Sequence, residues 1–113
     1  MITIYHNPRC SKSREVLKIL ESREQPLEII KYMDSPLNAD ELSELLNKLE
    51  MRPEELLRKN EPIWKEKYKG TKMTDAQIIA AMVEHPKLIE RPIVIKGNKA
   101  IVARPTETVL TFI

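Results

Sequence analysis

Ile2, Ile4 and His6 alternate with Thr3 and Tyr5 at the start of the chain, and this β-branched, aromatic run has the pattern of a strand. Asn7-Pro8-Arg9 breaks it. From Ser11 the period changes. Val16, Leu17, Ile19 and Leu20 recur on one face while Lys12, Arg14, Lys18 and Glu21 cover the other, which predicts a helix. Cys10 therefore falls where a strand hands over to a helix N-terminus. Leu27-Glu28-Ile29-Ile30, entered through Gln25-Pro26, reads as a second strand. Strand, helix and strand in this order imply a parallel pair with a right-handed crossover.

The middle of the chain carries a different pattern. Asn38 with Glu41 three residues later opens a helix bearing Leu42, Leu45, Leu46 and Leu49. Pro53 starts a short helix through Leu56-Leu57-Arg58, and Lys59 to Lys72 is charged and irregular around Trp64 and Gly70. Thr74 with Gln77 caps a helix of Ile78, Ile79, Met82 and Val83 that stops before Pro86. Strand chemistry then returns: Ile93-Val94-Ile95, the turn Lys96-Gly97-Asn98-Lys99, and Ala100-Ile101-Val102 predict an antiparallel hairpin. Arg104-Pro105 ends it, and Thr106 to Phe112 reads as a closing helix. The order βα-β, several helices, then ββα is an α/β, thioredoxin-like core with a mixed sheet. A helical insertion over roughly 38–86 separates its halves, all within a single domain of residues 1–113.

Composition narrows the function classes. Hydrophobic residues at 42% and charged residues at 32% are ordinary for a soluble globular protein. A net charge of +2 is too small to attract nucleic acid or membrane by bulk electrostatics, so neither is expected as a partner. The N-terminus shows no signal-peptide pattern, and no stretch approaches the roughly 20 apolar residues of a membrane span. Cys10 is the only cysteine, which rules out an intrachain disulfide and a multi-cysteine metal site. His6 and His85 lack ligand-spaced neighbours, so no metal site is expected. A reducing, cytoplasmic setting and a monomer are consistent with these features.

Cys10 is the first candidate for chemistry. A thiol at a helix N-terminus faces unpaired N–H groups and the positive end of the helix dipole, with Arg9, Lys12 and Arg14 adding charge in the same turn. Both effects favour the thiolate, the reactive form. A small buried cysteine is the plainer reading, although the polar neighbours Arg9, Ser11, Lys12 and Ser13 argue against it. Cys10-Ser11-Lys12-Ser13 has the spacing of a redox Cys-x-x-Cys pair with serine in the second place, so a resolving thiol must come from another molecule. Ser13 has two open roles, bonding the Cys10 sulfur or capping the helix. His6 is either a nearby cation or acid/base for the thiol, or a ring packed on the inner face of its strand. Arg58 ends a short apolar helix, and Arg91 and Arg104 each precede proline. The planar fork of arginine matches tetrahedral oxyanions, while a solvated surface role is the commoner one for any single arginine.

His6-Asn7-Pro8-Arg9-Cys10-Ser11-Lys12-Ser13-Arg14 resembles the active-site signature of the glutaredoxin-linked arsenate reductases, the ArsC family, and within it the small YfgD-type branch. Leu56-Leu57-Arg58-Lys59-Asn60 is similar to that family's second motif, Glu90-Arg91-Pro92-Ile93-Val94 to its third and Ala103-Arg104-Pro105 to its fourth. The likeness runs in order over nearly the whole chain. It implies that Cys10 is the nucleophile and His6 the residue that helps ionise it. It further implies that Arg58, Arg91 and Arg104 form an oxyanion-binding triad, and that Asn7, Ser13 and Arg14 shape the loop around the thiolate. It also implies a thioredoxin-like fold and a cis bond at Arg91-Pro92.

The activity implied is reduction of arsenate, or a similar oxyanion, to arsenite through a covalent cysteinyl-arsenate on Cys10. Glutathione and glutaredoxin would be the external reductants, with no bound cofactor. The chain departs from the plasmid-type members in carrying Arg9, Ser11 and Lys12 where they have small residues, which leaves room for a different anion or a larger thiol partner. Two further readings are a thioredoxin-fold regulatory or adaptor protein, and a glutathione-linked thiol reductase without arsenate activity.

Overall fold

The computed structural model describes residues 1–68 and 70–113. They fall into two compact units, residues 1–35 with 91–113, and residues 36–90. In the first unit the β-branched segments form a mixed sheet of β1 (Ile2–Tyr5), β2 (Leu27–Ile30), β3 (Ile93–Lys96) and β4 (Lys99–Val102) in the order β2-β1-β3-β4. β1 runs parallel to β2 and antiparallel to β3, and β3 runs antiparallel to β4. This is the thioredoxin-like arrangement expected from the element order. β1 stops one residue short of His6, but the His6 N–H still donates to the Ile30 carbonyl at 2.8 Å, so pairing with β2 carries on into the site.

Helix α1 (Ser11–Glu21) lays Val16 and Leu20 on Ile2, Ile4 and Val94, and Ala103 and Val109 complete that core. The alternation of β1 explains the arrangement. Ile2 and Ile4 are buried while Thr3 and Tyr5 are only partly so, since successive strand side chains face opposite ways. Gly97 takes φ +63 at the first position of the β3–β4 turn, the left-handed value that a tight hairpin turn needs and that glycine adopts without steric cost. A last helix, α6 (Thr108–Phe112), begins two residues later than expected, after a turn closed by the Thr108 N–H to the Pro105 carbonyl.

The second unit holds α2 (Ala39–Leu49), α3 (Pro53–Leu56), α4 (Pro62–Lys67), α5 (Asp75–Glu84) and a 3₁₀ turn over Pro86–Leu88. Asn38 with Glu41, and Thr74 with Gln77, form reciprocal capping boxes at the starts of α2 and α5. Leu42, Leu45, Leu46, Leu56, Ile78, Met82 and Leu88 are buried in this unit.

Two expectations are corrected here. The helix from Pro53 ends at Leu56, because Leu57 is extended and pairs with Ile89 in an antiparallel bridge. The Arg58 N–H to the Leu88 carbonyl (2.8 Å) and the Glu90 N–H to the Leu56 carbonyl (2.9 Å) lock it there. The charged stretch 59–72 contains α4, opened by Pro62 at its first turn and supported by the Trp64–Tyr68 ring stack at 5.1 Å, one helical turn apart. Lys69, within that stretch, lies outside the described residues. Among the described residues no helix is long and apolar enough to cross a membrane.

Leu20 is 2% exposed at the centre of the first unit's core. Leu20→Ala is expected to cost about 2–5 kcal/mol, read as a lower urea midpoint with an unchanged m-value.

Candidate functional site

The register of the sheet gathers three distant segments at one end. Tyr5, the last residue of β1, pairs with Ile93, the first of β3, and Ile93 pairs with Val102, the last of β4. The chain leaving β1 toward Cys10, the chain entering β3 through Arg91-Pro92, and the chain leaving β4 through Arg104-Pro105 therefore lie side by side. Both Arg-Pro bonds are cis.

Cys10 is the N-cap of α1, with extended backbone (φ −94, ψ 122), and no side-chain oxygen of its own caps the helix. The sulfur stands where a capping oxygen would, in front of first-turn N–H groups that no intrahelical carbonyl satisfies. The loop that delivers it is held at each step. The Cys10 N–H donates to the Asn7 carbonyl at 3.0 Å, the Arg9 N–H to Asn7 Oδ1 at 3.0 Å, and Arg14 Nη1 to the Pro8 carbonyl at 2.9 Å. Asn7 and Arg14 thus spend these bonds on the loop.

Burial pushes the Cys10 thiol up, since only 7% of the residue is exposed and a thiolate is poorly solvated there. The Ser13 N–H, a hydrogen bond and the positive charge from Arg91, and the Lys12 N–H together outweigh it and hold the thiol below its ordinary value. Arg104 joins from the third segment, with Nη2 3.8 Å from Cys10 Sγ and Nε donating to the Arg91 carbonyl at 2.6 Å. One arginine's backbone thus aims the other's guanidinium. The arrangement supplies a thiol biased toward its thiolate form and two arginines beside it, suited to a tetrahedral oxyanion.

His6 and Ser13 are both buried, at 4% and 0% exposure. His6 Nδ1 lies 2.6 Å from Ser13 Oγ, and the Asn7 N–H donates to that same oxygen at 3.0 Å. The Ser13 hydroxyl is thus engaged by His6 and Asn7 rather than by the sulfur or the helix end. Burial first, then the charges of Lys31 and Arg14, lower the His6 pKa against the opposing pull of Glu21, so the ring is neutral at pH 7. This favours the packed-ring reading of His6 over the nearby-cation one.

Arg58 belongs to the other unit, where it meets Glu61 at 3.3 Å, Glu90 at 3.6 Å and the Lys87 carbonyl at 3.4 Å. Two contributors had no sequence signal. One is the Arg91 carbonyl, since every residue carries such a group. The other is Glu15, which accepts from Thr106 Oγ1 at 3.1 Å and lies 3.6 Å from Lys12, tying α1 to the chain after Pro105. Among the described residues no group of three or more His, Cys, Asp or Glu side chains is placed to hold a metal ion.

A family model described as the ArsC family matches residues 5–112. The uncharacterized protein YfgD of Escherichia coli (strain K12) is 42% identical over 114 residues, covering 99% of this chain and 96% of its own. An arsenate reductase of Haemophilus influenzae is 40% identical over 112 residues, 96% of each chain. Among solved structures, an arsenate reductase from Vibrio cholerae superposes with a TM-score of 0.93 at 41% identity, covering 99% of this chain and 97% of that one.

A neutral, buried His6 makes stability sensitive to acid. The unfolded imidazole takes its proton near its ordinary value of about 6.5, the native one only at lower pH. As the pH falls below that value the unfolded state binds more protons, so stability drops until the native ring also protonates. The urea midpoint is therefore expected to decline from about pH 7 to about pH 5, and to decline less in His6→Gln. Equal declines in both proteins would mean that folding does not lower the His6 pKa.

Proposed function

The chain belongs to the ArsC family, and on that premise we propose that it is an arsenate reductase whose nucleophile is Cys10. The observation that carries this reading is the placement of Cys10 Sγ at the start of α1 with Arg91 and Arg104 turned to it from two other segments. Arsenate binds as an anion against these arginines and the helix N-terminus. The Cys10 thiolate attacks arsenic. A sulfur–arsenic bond forms, an arsenic–oxygen bond breaks, and the oxygen leaves as water after taking a proton from the medium.

Glutathione then attacks the adduct. Its sulfur and that of Cys10 join in a disulfide, their two electrons pass to arsenic, and trivalent arsenite departs. A glutaredoxin thiol clears the mixed disulfide and returns Cys10 as thiolate. The chain's single cysteine is consistent with an external second thiol, and a reducing, cytoplasmic setting would keep Cys10 ready to react. No step requires a bound cofactor.

The test is arsenate-dependent NADPH oxidation coupled through glutathione, glutaredoxin and glutathione reductase. Cys10→Ser is expected to abolish turnover while the circular dichroism spectrum stays that of the parent. Arg91→Ala and Arg104→Ala are each expected to raise KM for arsenate about tenfold or more, the loss of an ionic hydrogen bond to the anion. Near-parental kinetics in both arginine variants would remove the oxyanion assignment. Faster turnover of a glutathionylated peptide than of arsenate would move the function to a thiol reductase, a reading that the exposed Arg9 and Lys12 beside the thiol make worth including.

A further inference from the structure

Ser13 takes the fourth place of Cys10-Ser11-Lys12-Ser13, where a dithiol enzyme carries its resolving sulfur. Its side chain has no exposed surface, and its hydroxyl joins two segments of the site, at 2.6 Å from His6 Nδ1 and 3.0 Å from the Asn7 N–H. An oxygen that accepts the Asn7 N–H still has its own proton to give, and the short contact to Nδ1 provides the acceptor. The chain of bonds from Asn7 N–H to Ser13 Oγ–H to His6 Nδ1 is then satisfied throughout by a neutral imidazole carrying its proton on Nε2. A protonated ring would turn Nδ1 into a donor and leave the buried serine proton to find another acceptor.

The same residue that anchors this chain presents its backbone N–H to the Cys10 sulfur, next to that of Lys12. The hydroxyl therefore connects the end of β1 and the turn at Asn7 to the turn of α1 that stabilises the thiolate. We propose that Ser13 is a positioning residue through which His6 acts on Cys10, its hydroxyl using the imidazole as a fixed anchor to hold the Lys12 and Ser13 N–H groups on the sulfur, while the imidazole takes no proton from the thiol. The charges around the two groups agree with this division. His6 faces Lys31, Arg14 and Glu21, with the two cations and burial favouring a neutral ring. Cys10 faces Arg91 and Arg104, which supply the positive charge the imidazole does not. The proposal rests on Cys10 being the reacting thiol and is independent of which oxyanion it attacks.

The experiment is the pH profile of Cys10 alkylation by iodoacetamide in the parent, Ser13→Ala, Ser13→Thr, His6→Phe and the Ser13→Ala/His6→Phe double variant. Ser13→Ala and His6→Phe are each expected to raise the thiol midpoint by about one unit, slowing alkylation up to about tenfold below that midpoint. The double variant is expected to lose no more than the worse single variant, because both cut the same chain of bonds, and Ser13→Thr is expected to recover most of the loss. Additive losses would mean that His6 reaches the thiol by a separate route and would overturn the proposal, as would a parental profile in Ser13→Ala. The ¹⁵N imidazole spectrum of the unaltered protein gives a test that depends on no variant: a proton on Nε2 is expected, and a proton on Nδ1 overturns the proposal. Arsenate turnover enters none of these measurements, so the oxyanion assignment and this proposal stand or fall separately.

Discussion

Pairing of β1 along both of its edges is the constraint on which the candidate site depends. With β2 on one side and β3 on the other, β1 has no freedom to slide, because a one-residue slip would turn Ile2 and Ile4 out of the core and Thr3 and Tyr5 into it. The antiparallel sense of β3 then brings its first residues to the last residues of β1, and the hairpin to β4 returns the chain to the same end. Cys10, Arg91 and Arg104 are neighbours for that reason. The sheet holds the two guanidinium groups close despite their like charge, and the Arg104 Nε bond to the Arg91 carbonyl fixes their arrangement.

Holding a thiolate at this point is an electrostatic problem with a specific solution. Burial alone would keep Cys10 protonated and inert, and it is the largest single influence on the sulfur. The opposing influences are all fixed donors: two backbone N–H groups at the start of α1 and the guanidinium of Arg91. Such donors need little reorganisation when charge develops on the sulfur or on a bound anion, so they act at full strength in a poorly solvated place. Arginine suits the task better than lysine. Nε of Arg104 is committed to the Arg91 carbonyl while Nη2 of the same rigid fork still points at the sulfur, a division of labour that a single ammonium cannot make.

How much of this was legible in the sequence follows from how local each cause is. The strands, α1 and the capped starts of α2 and α5 were legible, because period and capping chemistry act over a few neighbouring residues. The end of α3 was not, since Leu57 leaves the helix to pair with Ile89, more than thirty positions on, and no local pattern encodes that partner. Helix α4 was hidden by its charged composition, its support being a Trp64–Tyr68 stack that only a helical backbone creates. In the site, the setting of Cys10 could be read from the strand-to-helix junction alone. Arg91 and Arg104 stood out only by preceding proline and by family likeness, because their nearness to Cys10 is a property of sheet register. Arg58 was grouped with them by that likeness; its partner Glu61 lies only three residues on, whereas its contact with Glu90 has no local signature.

Ser13 shows how a short motif can mislead when it is read by spacing. Next to a reactive cysteine, a serine at this distance invites two interpretations, a lost resolving thiol or a partner for the sulfur. Its hydroxyl instead faces His6 and Asn7, in a spot with no exposed surface. A sulfur in its place would be larger, a weaker donor to His6 and a weaker acceptor from Asn7, so a second cysteine here would loosen the turn whose N–H groups favour the thiolate of the first. An internal disulfide and a well-held thiolate therefore place opposing demands on this one position. With serine there, the loop favours the thiolate, and the thiol that completes any redox cycle has to come from outside the chain.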